Sequence, residues 1–309
     1  AADACEQAVG FIGLGIMGDG MVRRLLEHGG RRVVVWNRSP EKAATLKAEH
    51  ADRVTVAESP KAVLEACSLT YVMLSTPDAV KSVYEMDGGI LAGVAAGKQL
   101  VDCATLAPED MARLSAQVVE RGGRFLEAPV TGSKVPARDG QLVFLTAGDE
   151  ALFHTAQRDL AAMGKASLFL GEAGAATRMK LCNNLVMSTM LAAYGEGLAL
   201  AQAAGLDASK LIEVLGLGVC ASPVLAAKAP KMAVGDHATN FPLKHAEKDM
   251  ALALDLGAAL GLELPVAAQV DTAMRTAMAM EGVEGVEGGM GDADFSAIYE
   301  AQKPRPKSK

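Results

Sequence analysis

Apolar and polar positions alternate in two different ways along this chain. In the first half, short apolar runs are separated by helical patterns. Val9-Gly10-Phe11-Ile12, Arg32-Val33-Val34-Val35-Trp36 and Leu69-Thr70-Tyr71-Val72-Met73-Leu74 read as strands. Gln99 to Asp102, Arg124 to Glu127 and Leu142 to Thr146 follow in the same style. Between them, Met17 to His28, Glu41 to Glu49 and Pro108 to Arg121 carry helical spacing, with Pro108 suited to a first helical turn, where its missing N–H is no loss. Strand, helix, strand, helix with nearly continuous apolar strands predicts a doubly wound parallel sheet covered on both faces.

The pattern changes near Gly171. Gly174 to Ala204 is one long Ala-, Leu- and Met-rich helical stretch, about 45 Å at 1.5 Å per residue. Ser209 to Leu217, Leu243 to Leu260 and Pro265 to Met280 continue the helical spacing, without strand signals. Residues 1–170 are therefore expected to form an α/β dinucleotide-type domain. Residues 171–302 are expected to form an all-helical domain with the long helix as its spine, and 303–309 a disordered basic tail. Glu281 to Gly291 reads as a glycine-rich loop, and Asp294 to Ala301 as a last short helix.

Composition narrows the chemistry. The 309 residues suffice for two domains, and half of them are hydrophobic. A formal net charge of −7 argues against a nucleic-acid partner. No apolar run reaches the ~18 residues of a membrane helix. Cys5, Cys67, Cys103, Cys182 and Cys220 show neither a CxxC spacing nor a disulfide framework, and the five His residues show no metal-binding pattern. Reduced thiols are expected, hence a reducing compartment: the cytoplasm, or a plastid or mitochondrial matrix if Ala1 marks removal of a transit segment. No secretory signal opens the chain.

Gly13-Leu14-Gly15-Ile16-Met17-Gly18 is GxGxxG directly after a predicted strand and at the opening of a predicted helix. Gly13 permits the tight turn, Gly15 lets backbone approach a pyrophosphate, and Gly18 lets helix pack on strand. The second strand ends in Asn37-Arg38-Ser39. An NAD site usually has a carboxylate here for the ribose 2′-hydroxyl, whereas a guanidinium suits a 2′-phosphate. NADP(H) is the expected cofactor, unless Arg38 is only a solvated surface charge. Leu74-Ser75-Thr76 and Thr105 lie on loops at the expected carboxyl edge of the sheet; Thr105 reads equally well as a helix cap ahead of Pro108.

Thr131, Gly132 and Ser133 form a run of donors suited to a substrate carboxylate, or a strand-end turn with capping hydroxyls. Lys180 and Asn184, at i and i+4, put polar groups on one face of the apolar long helix. A hydride reductase needs a proton donor to the nascent alkoxide, and burial tunes a lysine for that work. The alternative is a lysine snorkelling on a helix surface. Lys248 and Asp249, beside apolar Met250-Ala251-Leu252, read either as site groups or as a first-turn cluster on a solvated face.

Taken in order, Gly10 to Gly18, Trp36-Asn-Arg38, Pro129-Val-Thr-Gly-Ser-Lys134, Asp139-Gly-Gln-Leu142, Met179-Lys-Leu181, Phe241-Pro-Leu-Lys-His245 with Lys248-Asp249, and Asp292-Ala-Asp-Phe-Ser296 resemble the β-hydroxyacid dehydrogenase family. The resemblance spans about residues 9–302, implies a 6-phosphogluconate-dehydrogenase-like fold, and is nearest to plant-type glyoxylate/succinic semialdehyde reductases. It implies Lys180 as catalytic lysine with Asn184 as partner, Thr131, Gly132 and Ser133 on the substrate carboxylate, and Thr105 and Lys248 at the cofactor. It also implies Phe241 and Asp249 lining the cleft, and NADPH-dependent reduction of glyoxylate to glycolate and of succinic semialdehyde to 4-hydroxybutyrate. Glu127 replaces the family's usual Asp, Thr131 its Ser, and Ala176 its second Gly before the lysine. Alternatives are a 3-hydroxyisobutyrate-type dehydrogenase and a non-catalytic nucleotide-binding scaffold. The apolar helices lead us to expect a homodimer or homotetramer through the helical domain.

Overall fold

The computed structural model describes residues 8–281 and 288–303. Two compact units divide between Lys180 and Leu181. The first is built on nine strands: β1 (Val9–Ile12), β2 (Val33–Trp36), β3 (Val54–Val56), β4 (Leu69–Val72), β5 (Gln99–Asp102), β6 (Arg124–Glu127), β7 (Val130–Thr131), β8 (Leu142–Gly148) and β9 (Gly164–Phe169). Its helices are α1 (Gly18–Glu27), α2 (Pro40–Glu49), α3 (Pro60–Ala66), α4 (Pro77–Glu85), α5 (Ile90–Gly93), α6 (Pro108–Glu120), α7 (Lys134–Arg138) and α8 (Glu150–Met163).

The sheet runs β3-β2-β1-β4-β5-β6-β8-β7, with β9 on β8. From β3 through β6 every pairing is parallel, as the continuous apolar runs predict. The far end is mixed: β8 lies antiparallel to both β6 and β7 and parallel to β9. Successive residues of a strand face opposite sides, so Phe11 packs with Met21 and Leu25 of α1 while Ile12 packs with Val63, Tyr84 and Met111 on the other side. Both faces are thereby sealed. The strand order reverses between β1 and β4, and in such sheets the crevice outside the carboxyl ends at that point is where ligands bind.

From α9 (Ala175–Ala203) onward the structure is helical: α10 (Ala208–Leu217), α11 (Pro223–Val234), α12 (Leu243–Ala259), α13 (Pro265–Met278), a 3-10 turn at Phe295–Ala297 and α14 (Ile298–Gln302). The 29-residue α9 begins in the first unit and supplies Leu191, Tyr194 and Leu198 to a core shared with Leu225, Met232, Met250, Met274, Phe295 and Ile298. Of the glycine-rich loop expected over 281–291, residues 282–287 lie outside the described residues, as do 304–309 of the basic tail.

Candidate functional site

Three glycines of the first turn are glycine for different reasons. At Gly13, φ is +100° and a Cβ would lie 2.2 Å from the Met73 carbonyl oxygen. At Gly18 it would lie 2.0 Å from the Gly13 carbonyl oxygen and 3.2 Å from the Phe11 ring. The fold itself demands both. A Cβ on Gly15 would meet nothing nearer than Ser75 Oγ at 3.7 Å. The space above Gly15 is open, which suits backbone approach by a pyrophosphate. Met17 precedes α1 and makes no side-chain capping bond to the first-turn amides, whose partial positive charge favours an anion. Ile16 is exposed at this turn.

Asn37 does more than replace a carboxylate. Its Oδ1 accepts from the Leu14 N–H at 2.8 Å and its Nδ2 donates to the Ser39 carbonyl at 2.9 Å, tying the end of β2 to the glycine turn. Ser39 in turn precedes α2 without a side-chain capping bond. Arg38 is exposed and enters no ion pair among the described residues. The loop after β4 reaches the same place, with Leu74 beside Gly13 and exposed Ser75 nearest Gly15. Thr76 is committed elsewhere: its hydroxyl accepts from the Ala79 N–H at 3.2 Å and caps α4. These residues fit an NADP-type dinucleotide: a glycine cradle, uncapped amides and a cation beyond the second strand.

Two buried carboxylates stand side by side where β5 and β6 end, since Asp102 pairs in register with Glu127. Asp102 accepts from the Tyr84 hydroxyl at 2.6 Å and from the Ala104 N–H at 2.8 Å, fixing the loop that carries Thr105. Burial, with Glu127 adding to it, pushes the Asp102 carboxyl up to about 6. Ala107, not Thr105, holds the position immediately before α6. Glu127 accepts four hydrogen bonds from the start of α9. Oε1 takes the N–H groups of Gly174 at 2.6 Å and Ala176 at 3.0 Å. Oε2 takes the Thr177 hydroxyl at 2.6 Å and its N–H at 3.3 Å. Burial pushes the Glu127 carboxyl up, opposed by these four donors.

The donor run lies just beyond. Thr131 ends β7, Gly132 has φ +134°, and a Cβ there would meet Leu142 Cδ2 at 2.7 Å. Ser133 precedes α7 without a side-chain capping bond, so the capping-hydroxyl alternative does not describe it.

Helix α9 carries Lys180, only 6% exposed, which excludes the snorkelling alternative. It also carries Asn184, 2% exposed, whose Nδ2 donates to Asp249 Oδ2 at 2.6 Å. On α12, Asp249 is 4% exposed and Lys248 Nζ lies 2.9 Å from its Oδ1, at an angle that leaves charge attraction rather than a directed hydrogen bond. Asn184, Lys248 and Asp249 thus come together, and the solvated-face alternative for the last two does not hold. Phe241 is half-buried, edge-on to Phe295 with ring centroids 5.5 Å apart. Its N–H donates to Asp294, which also accepts both short bonds from Lys228 at 2.7 Å.

Several of these groups carry no signal of their own in the sequence. Glu127 stands out only as a departure from the family's Asp, and Lys228 not at all. For Asp102 and Glu127 the available sign is a carboxylate closing an otherwise apolar buried strand, which needs partners to be tolerated.

Fold and turn together define a dinucleotide-binding protein. Residues 8–173 match the model for the NAD binding domain of 6-phosphogluconate dehydrogenase, and residues 174–301 match that for the NAD-binding region of NADP-dependent 3-hydroxyisobutyrate dehydrogenase. The chain belongs to the 3-hydroxyacid dehydrogenase family. It is 42% identical to glyoxylate/succinic semialdehyde reductase 1 of Arabidopsis thaliana, over 96% of this chain and 98% of that one. It is 38% identical to the human cytokine-like nuclear factor N-PAC, over 96% of this chain and 51% of that protein. Among solved structures, Mycobacterium tuberculosis 3-hydroxyisobutyrate dehydrogenase with L-serine superposes with a TM-score of 0.83 at 26% identity, covering 97% of this chain and 100% of the other. This chain is an NADP-dependent oxidoreductase acting on hydroxyl or aldehyde groups. No helix among the described residues is long and apolar enough to cross a membrane.

Proposed function

We propose that the chain reduces small aldehyde acids, glyoxylate to glycolate and succinic semialdehyde to 4-hydroxybutyrate, with NADPH. The observation that carries this reading is the buried Lys180 ammonium on α9, in a chain 42% identical to a plant reductase of that name. NADPH, when bound, supplies the hydride. Gly13 to Gly18 hold the pyrophosphate on the amides of α1, Asn37 keeps that turn in shape, and Arg38 meets the 2′-phosphate. Leu74, Ser75, Thr105 and Lys248 complete the cofactor side. Thr131, the Gly132 N–H and Ser133 bind the substrate carboxylate, and Phe241 is assigned to substrate binding as well. Lys180 gives its proton to the carbonyl oxygen as negative charge develops there, and Asn184, held by Asp249, orients that oxygen. The free thiols, Cys67 and Cys103 among them, support placement in a reducing compartment.

The test is oxidation of NADPH and of NADH with glyoxylate and with succinic semialdehyde. Fast loss of NADPH and slow loss of NADH is the expected result. Oxidation of 3-hydroxyisobutyrate in place of both reductions would favour the dehydrogenase reading, and tight NADPH binding without turnover a scaffold. Exposed Val186 and Leu200 on α9, with Leu217 at the end of α10 and Val219 just after it, support a dimer or tetramer through the helical unit. Sedimentation as a monomer at micromolar concentration would contradict it.

A further inference from the structure

We infer that Glu127 is a positioning residue for the reduction: its carboxylate fastens the first turn of α9, and with it Lys180, to the strand end that leads into Thr131, Gly132 and Ser133. The inference rests on the proposed role of Lys180 as proton donor. The connection is short on both sides. Glu127 is the last residue of β6, four positions before Thr131. Thr177 is three positions before Lys180, so the two are neighbours along one helix face.

The first amides of a helix have no intrahelical acceptor and carry partial positive charge. Gly174, Ala176 and Thr177 turn those amides onto one fully buried carboxylate, and the Thr177 hydroxyl supplies a fourth donor. Among the described residues no cation pairs with Glu127, so donors and helix dipole balance it. Only an acceptor with two oxygens fits four donors. A glutamine would turn an NH2 group towards N–H groups already pointing at it. Such a change leaves the helix pattern and the core intact and shifts the turn before Lys180. Misplacement of a reacting group by about 1 Å can cost about a hundredfold in rate.

The experiment compares wild type, Glu127→Gln, Thr177→Val and Lys180→Ala, all as full-length protein. NADPH affinity is measured by titration, and kcat and KM for glyoxylate are expressed per correctly folded molecule. Glu127→Gln is expected to lower kcat by about 10- to 100-fold and to leave NADPH affinity within about twofold. Thr177→Val, which keeps the carboxylate and removes one donor, should show a smaller loss of the same kind. A structural role alone would lower the folded fraction and leave kcat per folded molecule unchanged. Near-wild-type kcat in folded Glu127→Gln overturns the inference. If that variant does not fold, near-wild-type kcat in Thr177→Val overturns it instead. A wild type that reduces no aldehyde, or an active Lys180→Ala, faults the underlying reading rather than this one.

Discussion

The Thr177 hydroxyl donates to the buried Glu127 carboxylate at 2.6 Å, and the Thr177 N–H reaches the same oxygen at 3.3 Å. One residue thus caps the long helix twice onto the last residue of a strand. A hydrogen bond to a charged group contributes about 1.5–3 kcal/mol, and Thr177→Val keeps the shape while deleting the donor. Chemical denaturation of the variant should show a loss in that range. A loss below about 0.5 kcal/mol, typical of indifferent surface changes, would mean that the carboxylate draws little from the hydroxyl.

The glycine turn separates folding from binding. Gly13→Ala and Gly18→Ala would drive a methyl group into carbonyl oxygens that the Cβ would approach to 2.2 and 2.0 Å, and both are expected to fold poorly. Gly15→Ala has open space, with nothing nearer than 3.7 Å. It should melt within a few degrees of wild type yet bind NADPH at least about tenfold more weakly, because the methyl group would occupy the place proposed for the pyrophosphate. Unchanged NADPH affinity in Gly15→Ala would move the cofactor away from this turn.

We propose that cofactor preference rests on Arg38. A charge-assisted bond of about 1.5–3 kcal/mol to the 2′-phosphate corresponds to roughly 10- to 150-fold in affinity. Arg38→Ala should raise the KM for NADPH by that order and leave NADH nearly unaffected, in steady-state assays with both cofactors. Equal effects on the two would return Arg38 to the status of a surface charge.

Asp102 gives the fold a pH dependence of defined sign. Burial moves its carboxyl from 3.8 to about 6, so in this window the folded chain holds a proton that the unfolded chain releases. Its contribution to stability is full below 3.8 and is lost as pH rises to about 6. Asp102→Asn does not titrate, and its amide can still accept from the Ala104 N–H and donate to the Tyr84 oxygen. The stability gap between wild type and variant should therefore shift in the variant's favour between pH 4 and 6, measured by urea midpoints. Parallel curves across that range would show that Asp102 keeps an ordinary carboxyl.

What the sequence disclosed followed the strength of local pattern. Val9–Ile12 and Leu69–Val72 are buried on both faces, and their apolar runs announce a parallel core. Val54–Val56 has only three residues, two of them exposed, and Gly164–Phe169 exposes half of its positions, so neither edge strand has a period to read. The reversal of Leu142–Gly148 depends on which neighbour it pairs with, which its own residues do not encode. Helix Pro223–Val234 is hidden by Pro230 in its interior. At the site, the glycines, Arg38 and Lys180 stand out as candidates because each belongs to a local motif. The clamp of Glu127 on residues 174–177 was not, because it joins positions some fifty residues apart that only the folded sheet brings together.

The role proposed for Lys180 is delivery of the proton in an NADPH-dependent aldehyde reduction. It is tested most directly by measuring kcat for glyoxylate and NADPH affinity in Lys180→Ala beside wild type. A kcat lower by about 10²- to 10⁴-fold with NADPH affinity largely kept is expected. Near-normal turnover in that variant would contradict it.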